Sequence, residues 1–225
     1  MKMFVDFIIQ NTCVYENSKL SSPMILVIHE GVILKKETGA LVSILESYQT
    51  DNLIDAKGYM LSAGLIDCHT HLIFAGDRAD EFEMRLNGST YEEISIKGGG
   101  IKSTVKATRK ATFDELYQLG KIRLISMIKQ GCLSFEIKSG YGLDLETESK
   151  MLKVARQLSI DLDVSISTTY LGAHALPEEF QGRSSEYISY ICKEVLPKIS
   201  EENLADSVDV FCESIGFSLN ETKKV

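Results

Sequence analysis

CLSFEIKSGYGLDLETESKMLKVARQLSIDLDVSISTTYLGAH, residues 132–174, holds two copies of one structural unit. Cys132–Lys138 is a short apolar run ending in Ser139-Gly140-Tyr141-Gly142, and Asp163–Leu171 is another, ending in Gly172-Ala173-His174. Between them, Glu146–Ser159 carries Met151, Leu152, Ala155 and Leu158 at helical spacing. Strand-length runs alternating with amphipathic helices are the pattern of parallel strands joined by helical crossovers. The unit recurs in both directions. Upstream, Thr112-Phe-Asp-Glu115 is a capping-box pattern opening a helix with Leu116, Leu119, Ile122, Ile125 and Ile128 as its stripe. Before it, Leu72 to about Ala111 reads as a long connection interrupted by Gly98-Gly99-Gly100, and Tyr59–Thr70 reads as a strand buried on both faces. Downstream, Ser184–Lys198 is a helix with Ile188, Ile191, Val195 and Leu196 apolar, Ser207–Glu213 is a strand, and a further helix begins near Leu219.

The order βαβαβαβ makes this an α/β fold, either the start of a doubly wound sheet or half of a (β/α)8 barrel. No GxGxxG follows a strand, which counts against a dinucleotide fold. Polar residues instead crowd just after the strands (His69, His71, Arg78, Lys138, Tyr141 and His174), where barrel enzymes build their active sites. The first part of the chain differs. Met3–Ile9, Ile25–Leu34 and Ala40–Leu45 are short apolar runs separated by turn residues and read as strands of a small sheet. The expected division is therefore residues 1–58 and residues 59–225.

Composition narrows the function. Lys plus Arg is 24 and Asp plus Glu is 32, so the formal charge is 24 − 32 = −8, against the clustered positive charge that nucleic-acid binding needs. No stretch reaches the ~18 apolar residues of a membrane span, and the N-terminus does not read as a signal peptide. Five scattered cysteines, with no CxxC pair, read as free thiols of a reducing cytoplasm.

His69-Thr70-His71 is the sharpest chemical feature. In an extended strand, positions i and i+2 project to one side, so two imidazoles converge as they do on Zn²⁺ or Fe²⁺. An isolated HxH arises by chance, but this one ends a strand. Asp67 reads as a supporting residue. His174 follows a strand beside Gly172, although a lone histidine is ordinarily a structural hydrogen-bonder. Tyr141 sits between glycines that let a backbone approach a ligand, or else in a plain turn. Arg78 either clamps a substrate carboxylate or pairs at the surface with Asp77 or Asp80. Glu136 and Lys138 alternate along one strand and read as a buried pair or a substrate-positioning lysine. Asp80-Glu81-Glu83 reads as a solvated face, and His29 as structural.

LIDCHTH (residues 65–71) resembles the signature of the metal-dependent amidohydrolase superfamily. FAGDR (74–78), GGGI (98–101), KSGYGL (138–143) and GAH (172–174) narrow the resemblance to imidazolonepropionases, from about residue 25 to the last residue. That resemblance implies a (β/α)8 barrel with a small β-sandwich domain built from both ends of the chain, and a homodimer. It implies that His69 and His71 bind one zinc or iron ion. It implies that Arg78, Tyr141 and His174 contact 4-imidazolone-5-propanoate, with His174 polarising the ring carbonyl on the way to N-formimidoyl-glutamate. Ala63 stands where the superfamily has Pro, and Cys132-Leu133 where Thr-Thr is common. Family members are nearly twice as long, and their third metal His and metal Asp fall beyond Val225. The expectation is the N-terminal half of such an enzyme, inactive alone. The alternatives are another cyclic amidase or deaminase, or a non-catalytic fragment.

Overall fold

The computed structural model describes residues 2–88, 90, 99–213 and 215–225, with Asp80 in backbone only. Gly98 and the remainder of 91–98 lie outside them, so the expected glycine break is described only at Gly99 and Gly100. The chain forms two compact units, Met1–Ala63 and Gly64–Val225.

The first unit holds β1 (Met3–Phe4), β2 (Phe7–Glu16), β3 (Lys19–Leu20), β4 (Met24–His29), β5 (Val32–Glu37), helix α1 (Leu41–Ser47), β6 (Tyr48–Gln49), β7 (Leu53–Asp55) and β8 (Met60–Leu61). β3, β2, β4 and β5 pair antiparallel in that order, and β7 and β8 pair parallel with β2. Ala40–Leu45, expected as a strand, lies largely in α1. Leu41, Ile44, Leu45 and Tyr48 recur at helical spacing, and they pack on the core of Val5, Ile8, Ile25 and Val27. His29 Nδ1 lies 3.4 Å from Asp6 Oδ1 within this unit.

The second unit is a parallel arc. β9 (Leu65–Thr70), β10 (Cys132–Lys138), β11 (Ser165–Ala173) and β12 (Ser207–Val210) lie side by side in chain order. A doubly wound sheet reverses strand order at a switch point. Four strands stepping in one direction form instead a half-barrel arc. The crossovers are α2 (Ala79–Leu86), α3 (Ile101–Lys110) and α4 (Phe113–Ile128) before β10, α5 (Leu145–Leu162) before β11, and α6 (Ser184–Tyr190) with α7 (Leu196–Glu201) before β12; α8 (Leu219–Thr222) follows.

Several expectations change in detail. Tyr59–Thr70 is not one buried strand, since β8 belongs to the first unit and β9 to the second. Among the described residues β9 has only β10 as a neighbour, which leaves Leu65 and Ile66 61% and 74% exposed. The connection after Leu72 is largely helical, in α2 and α3. In α4 the Thr112–Glu115 capping box is present, but the buried line is Leu116, Gly120 and Leu124, while Ile122 is exposed. A Cβ at Gly120 would stand 2.6 Å from Ile73 and 3.0 Å from Leu158, so the missing side chain lets α4 approach α5. The expected helix Ser184–Lys198 carries a π turn at Ile191–Val195. Pro197 opens α7 there, and its missing N–H and ring do not fit an uninterrupted α-helix.

β11 ends against a tight packing constraint. A Cβ at Gly172 would lie 1.9 Å from the hydroxyl of Tyr170, which is itself 1% exposed and unable to swing into solvent. Gly172→Ala is expected to destabilise the chain by about 1–3 kcal/mol through overpacking, read as a lowered denaturation midpoint by circular dichroism.

Candidate active site

Parallel pairing places Thr70 opposite Ile137 and Lys138 opposite Thr169. The residues just beyond β9, β10 and β11 therefore share one edge of the sheet. Three imidazoles and a phenol meet there. The ring centroids of His69 and His71 are 5.5 Å apart. His71 stacks on His174 at 5.1 Å with 15° between planes. Tyr141 lies 5.3 Å from His71 and 5.4 Å from His174. Phe74 and Phe211 meet the group edge-on, against Tyr141 and His174 respectively.

Two backbone carbonyls set the protonation of these rings. His71 Nδ1 is 3.2 Å from Ser139 O, and His174 Nδ1 is 3.0 Å from Gly140 O. A carbonyl only accepts, so each Nδ1 carries the proton and each Nε2 presents a lone pair. Burial, aided by the neighbouring His174 and His69, lowers the pKa of His71 to about 4. Burial likewise lowers His174, with the Arg78 charge adding to it and the Gly140 carbonyl opposing it. Both rings are thus neutral at physiological pH.

Such neutral nitrogens are ligands for a borderline cation. Two imidazoles on one zinc at ~2.1 Å and a tetrahedral angle would hold their centroids roughly 5 Å apart, which the 5.5 Å between His69 and His71 approaches. Among the described residues no group of three or more His, Cys, Asp or Glu side chains is gathered to hold a metal, so the pair supplies only part of a ligand set. Asp67 supports it in the expected way, its Oδ1 accepting from the His69 N–H at 3.2 Å.

Beside His69 runs a charged row. Lys138 is 6% exposed, and its Nζ lies 2.5 Å from Glu136 Oε1 and 3.0 Å from Asp209 Oδ2. Thr169 Oγ1 donates to the same Glu136 oxygen at 2.6 Å. Burial works to lower the Lys138 pKa, but the two carboxylates carry it above its ordinary value. The lysine is therefore committed to its carboxylates, the pairing reading of Glu136 and Lys138. Asp209 joins the pair from β12, where its only sequence signal is an acid at an alternating position of a parallel strand.

Arg78 stands immediately before α2, and its Nε donates to Thr104 Oγ1 at 3.1 Å. It does not pair with Asp77, whose carboxylate accepts from the Ala79 N–H. The guanidinium charge acts on Tyr141 and His174 and opposes the burial that raises the Tyr141 pKa. Glu81, expected on a solvated face, accepts from Gly100 N–H and the Ser103 hydroxyl and so anchors α3.

No family model matches the chain. It is 54% identical over 190 residues to the imidazolonepropionase of Vibrio parahaemolyticus, covering 84% of this chain and 46% of that protein. It is 49% identical over 207 residues to the imidazolonepropionase of Vibrio cholerae, covering 92% of this chain and 50% of that protein. The chain thus spans about half the length of the curated relatives it matches. The crystal structure of 5-methylcytosine deaminase from Klebsiella pneumoniae liganded with phosphonocytosine superposes with a TM-score of 0.50 at 18% identity, over 81% of this chain and 41% of that one. This is a likeness of fold alone.

The low pKa of His71 has a consequence for stability. Its unfolded-state pKa is near 6.5 and its folded value about 4, so between these pH values the unfolded chain binds the proton and the folded chain does not. Stability is present in full above pH 6.5 and is lost as pH falls toward 4. Thermal melts are expected to show the midpoint already falling between about pH 6.5 and 5, above the range of ordinary carboxylates, and His71→Asn is expected to flatten that slope.

Proposed function

We propose that this chain, a match to the imidazolonepropionases over about half their length, builds the N-terminal half of a metal-dependent amidohydrolase barrel and, within a chain of the relatives' length, opens the ring of 4-imidazolone-5-propanoate to N-formimidoyl-glutamate. The stacked His71 and His174, flanked by Tyr141 and facing the Arg78 charge, carry this reading. An aromatic-walled niche with a cationic rim fits a flat ring bearing a carboxylate tail. The Met1–Ala63 unit contributes to a small composite β-sandwich. Its exposed Val32 and Leu34, at i and i+2 of β5, are the face such a partner layer would cover. The unpaired cysteines suit a reducing cytoplasm.

His69 and His71 are the residues that would hold zinc or iron, since both metals accept neutral imidazole. An ion held there supplies Lewis acidity and activates water for attack on a ring carbonyl. This chain's side chains bind and orient the ring. Arg78 holds the propanoate, its guanidinium already fixed through Nε to Thr104. Tyr141 walls the ring and excludes water. His174, with Nδ1–H committed to Gly140 O, offers Nε2 as a hydrogen-bond acceptor that orients a ring N–H without removing its proton. Polarisation of the carbonyl by His174 would require the imidazolium, which burial disfavours.

The test is loss of imidazolone absorbance when a chain of the relatives' length carrying this sequence is given 4-imidazolone-5-propanoate. Turnover of pyrimidine or purine rings in its place would overturn the assignment. In that protein Arg78→Ala is expected to raise KM by roughly tenfold or more with little change in kcat, since a carboxylate clamp acts in ground and transition states alike. The 225-residue chain alone, in which no group of three or more ligand side chains is gathered among the described residues, is expected to retain well under one equivalent of metal after dialysis, by elemental analysis. Stoichiometric metal with turnover would overturn that.

A further inference from the structure

Glu148, at the start of α5, is fully buried, and the reaction as described does not use it. Its carboxylate faces the loop that leaves β10. Oε2 accepts from the Gly140 N–H at 2.9 Å, and Oε1 accepts from the N–H groups of Gly142 at 2.7 Å and Leu143 at 2.8 Å. The Ser139 hydroxyl is a further donor to it. Burial raises the Glu148 pKa, and these four donors oppose that rise; all four partners donate, the arrangement that an acceptor-only carboxylate satisfies.

The carbonyls of the same loop point outward, each to a named partner. Ser139 O meets His71 Nδ1, Gly140 O meets His174 Nδ1, Gly142 O accepts from Arg109 Nε at 2.7 Å, and Leu143 O accepts from the Tyr187 hydroxyl at 3.1 Å. The loop is thus a two-sided layer, with the Gly140, Gly142 and Leu143 donors turned to one carboxylate and the carbonyls turned away from it, those of Ser139 and Gly140 to the two site imidazoles. Ser139 O and Gly140 N–H belong to the same peptide group, and they point in opposite directions because a trans peptide opposes its C=O and N–H. Gly140 has φ +105°, and a Cβ there would stand 2.7 Å from Leu171 O and 3.0 Å from His174 Nδ1. Only glycine lets this peptide take the orientation that both ends require.

We propose that Glu148 is the positioning residue of the site: through the Ser139–Gly140 peptide it orients and polarises the carbonyl that holds His71 in its Nδ1–H form, and by ordering the rest of the loop it does the same for His174. An N–H bonded to an anion makes its own carbonyl a stronger acceptor, since successive hydrogen bonds polarise one another. The relay runs from carboxylate to peptide to imidazole. Direct carboxylate–histidine pairing fixes ligand tautomers in metal sites by the same principle. The functional weight of this inference rests on the proposed reading of His71 and His174, but its test does not pass through turnover.

The chain contains four histidines, so a ¹⁵N-histidine-labelled, metal-free sample at about pH 8 gives a spectrum simple enough to assign the tautomer of each ring. In the unmodified chain His71 and His174 are expected as Nδ1–H tautomers, with the amide protons of Gly140, Gly142 and Leu143 protected from exchange. In Glu148→Gln the amide NH₂ would oppose at least one of these N–H groups. His71 and His174 are then expected to lose the Nδ1–H signature while His29, in the other unit, keeps its own signal. Glu148→Asp, which retains the charge on a shorter arm, should restore part of it. A folded Gln variant with both rings still Nδ1–H would overturn the inference. If that variant does not fold, Nε2–H rings or fast-exchanging loop amides in the unmodified chain would overturn it equally, and the expected forms there, with partial retention in the Asp variant, would support it. Failure of imidazolone turnover would leave these outcomes untouched, so the two readings fail separately.

Discussion

Parallel hydrogen bonding between β9, β10 and β11 is the constraint on which the site depends. Parallel strands put like ends together, and the pairing of Thr70 with Ile137 and of Lys138 with Thr169 sets those ends level. His69 and His71, Tyr141, and His174 come from three separate stretches of sequence. They meet because each follows, or closes, a strand of the same polarity. A register slip of one residue in β10 would turn Glu136 and Lys138 away from the charged row beside His69 and would move the Ser139–Gly140 carbonyls off the two rings.

The chemistry at that edge depends on backbone as much as on side chains. The ladder with β11 ends at the Ser139 N–H, which donates to Thr169 O, so the polar groups beyond it find partners elsewhere. The N–H groups of Gly140, Gly142 and Leu143 turn to Glu148, and the carbonyls of Ser139, Gly140, Gly142 and Leu143 to His71, His174, Arg109 and Tyr187. The satisfaction of a buried loop and the tautomer of two site imidazoles are therefore one arrangement. The neighbouring charges follow the same economy. Glu136, Asp209 and Lys138 sum to −1 − 1 + 1 = −1, within electrostatic reach of His69.

Where local pattern and tertiary packing agreed, the elements were legible. Thr112–Glu115 opens α4 as its capping box requires, and the stripe Met151, Leu152, Ala155, Leu158 is buried as helical spacing demands. Where they competed, packing prevailed. Leu41, Ile44, Leu45 and Tyr48 form one helical face whose value appears only once Val5 and Ile8 lie beside it. Gly120 in α4 marks a close helix approach, although a single glycine in an amphipathic run ordinarily signals weakness rather than contact. The apolar run ending at Thr70 was divided between two compact units, a separation that hydrophobicity alone does not record.

By itself the sequence determined the α/β class, the parallel strands and their crossovers, and the HxH at a strand end, because periodicity, caps and i, i+2 geometry are local properties of the chain. It also displayed Arg78, Tyr141 and His174 as polar residues beside strand termini. Only the tertiary structure decided that His71 stacks on His174, that Lys138 is held by Glu136 and Asp209, and that Glu148 gathers the Gly140–Leu143 amides. Those facts join residues up to 174 − 71 = 103 positions apart (His71 and His174), and no local pattern encodes which buried charge will face which backbone donor.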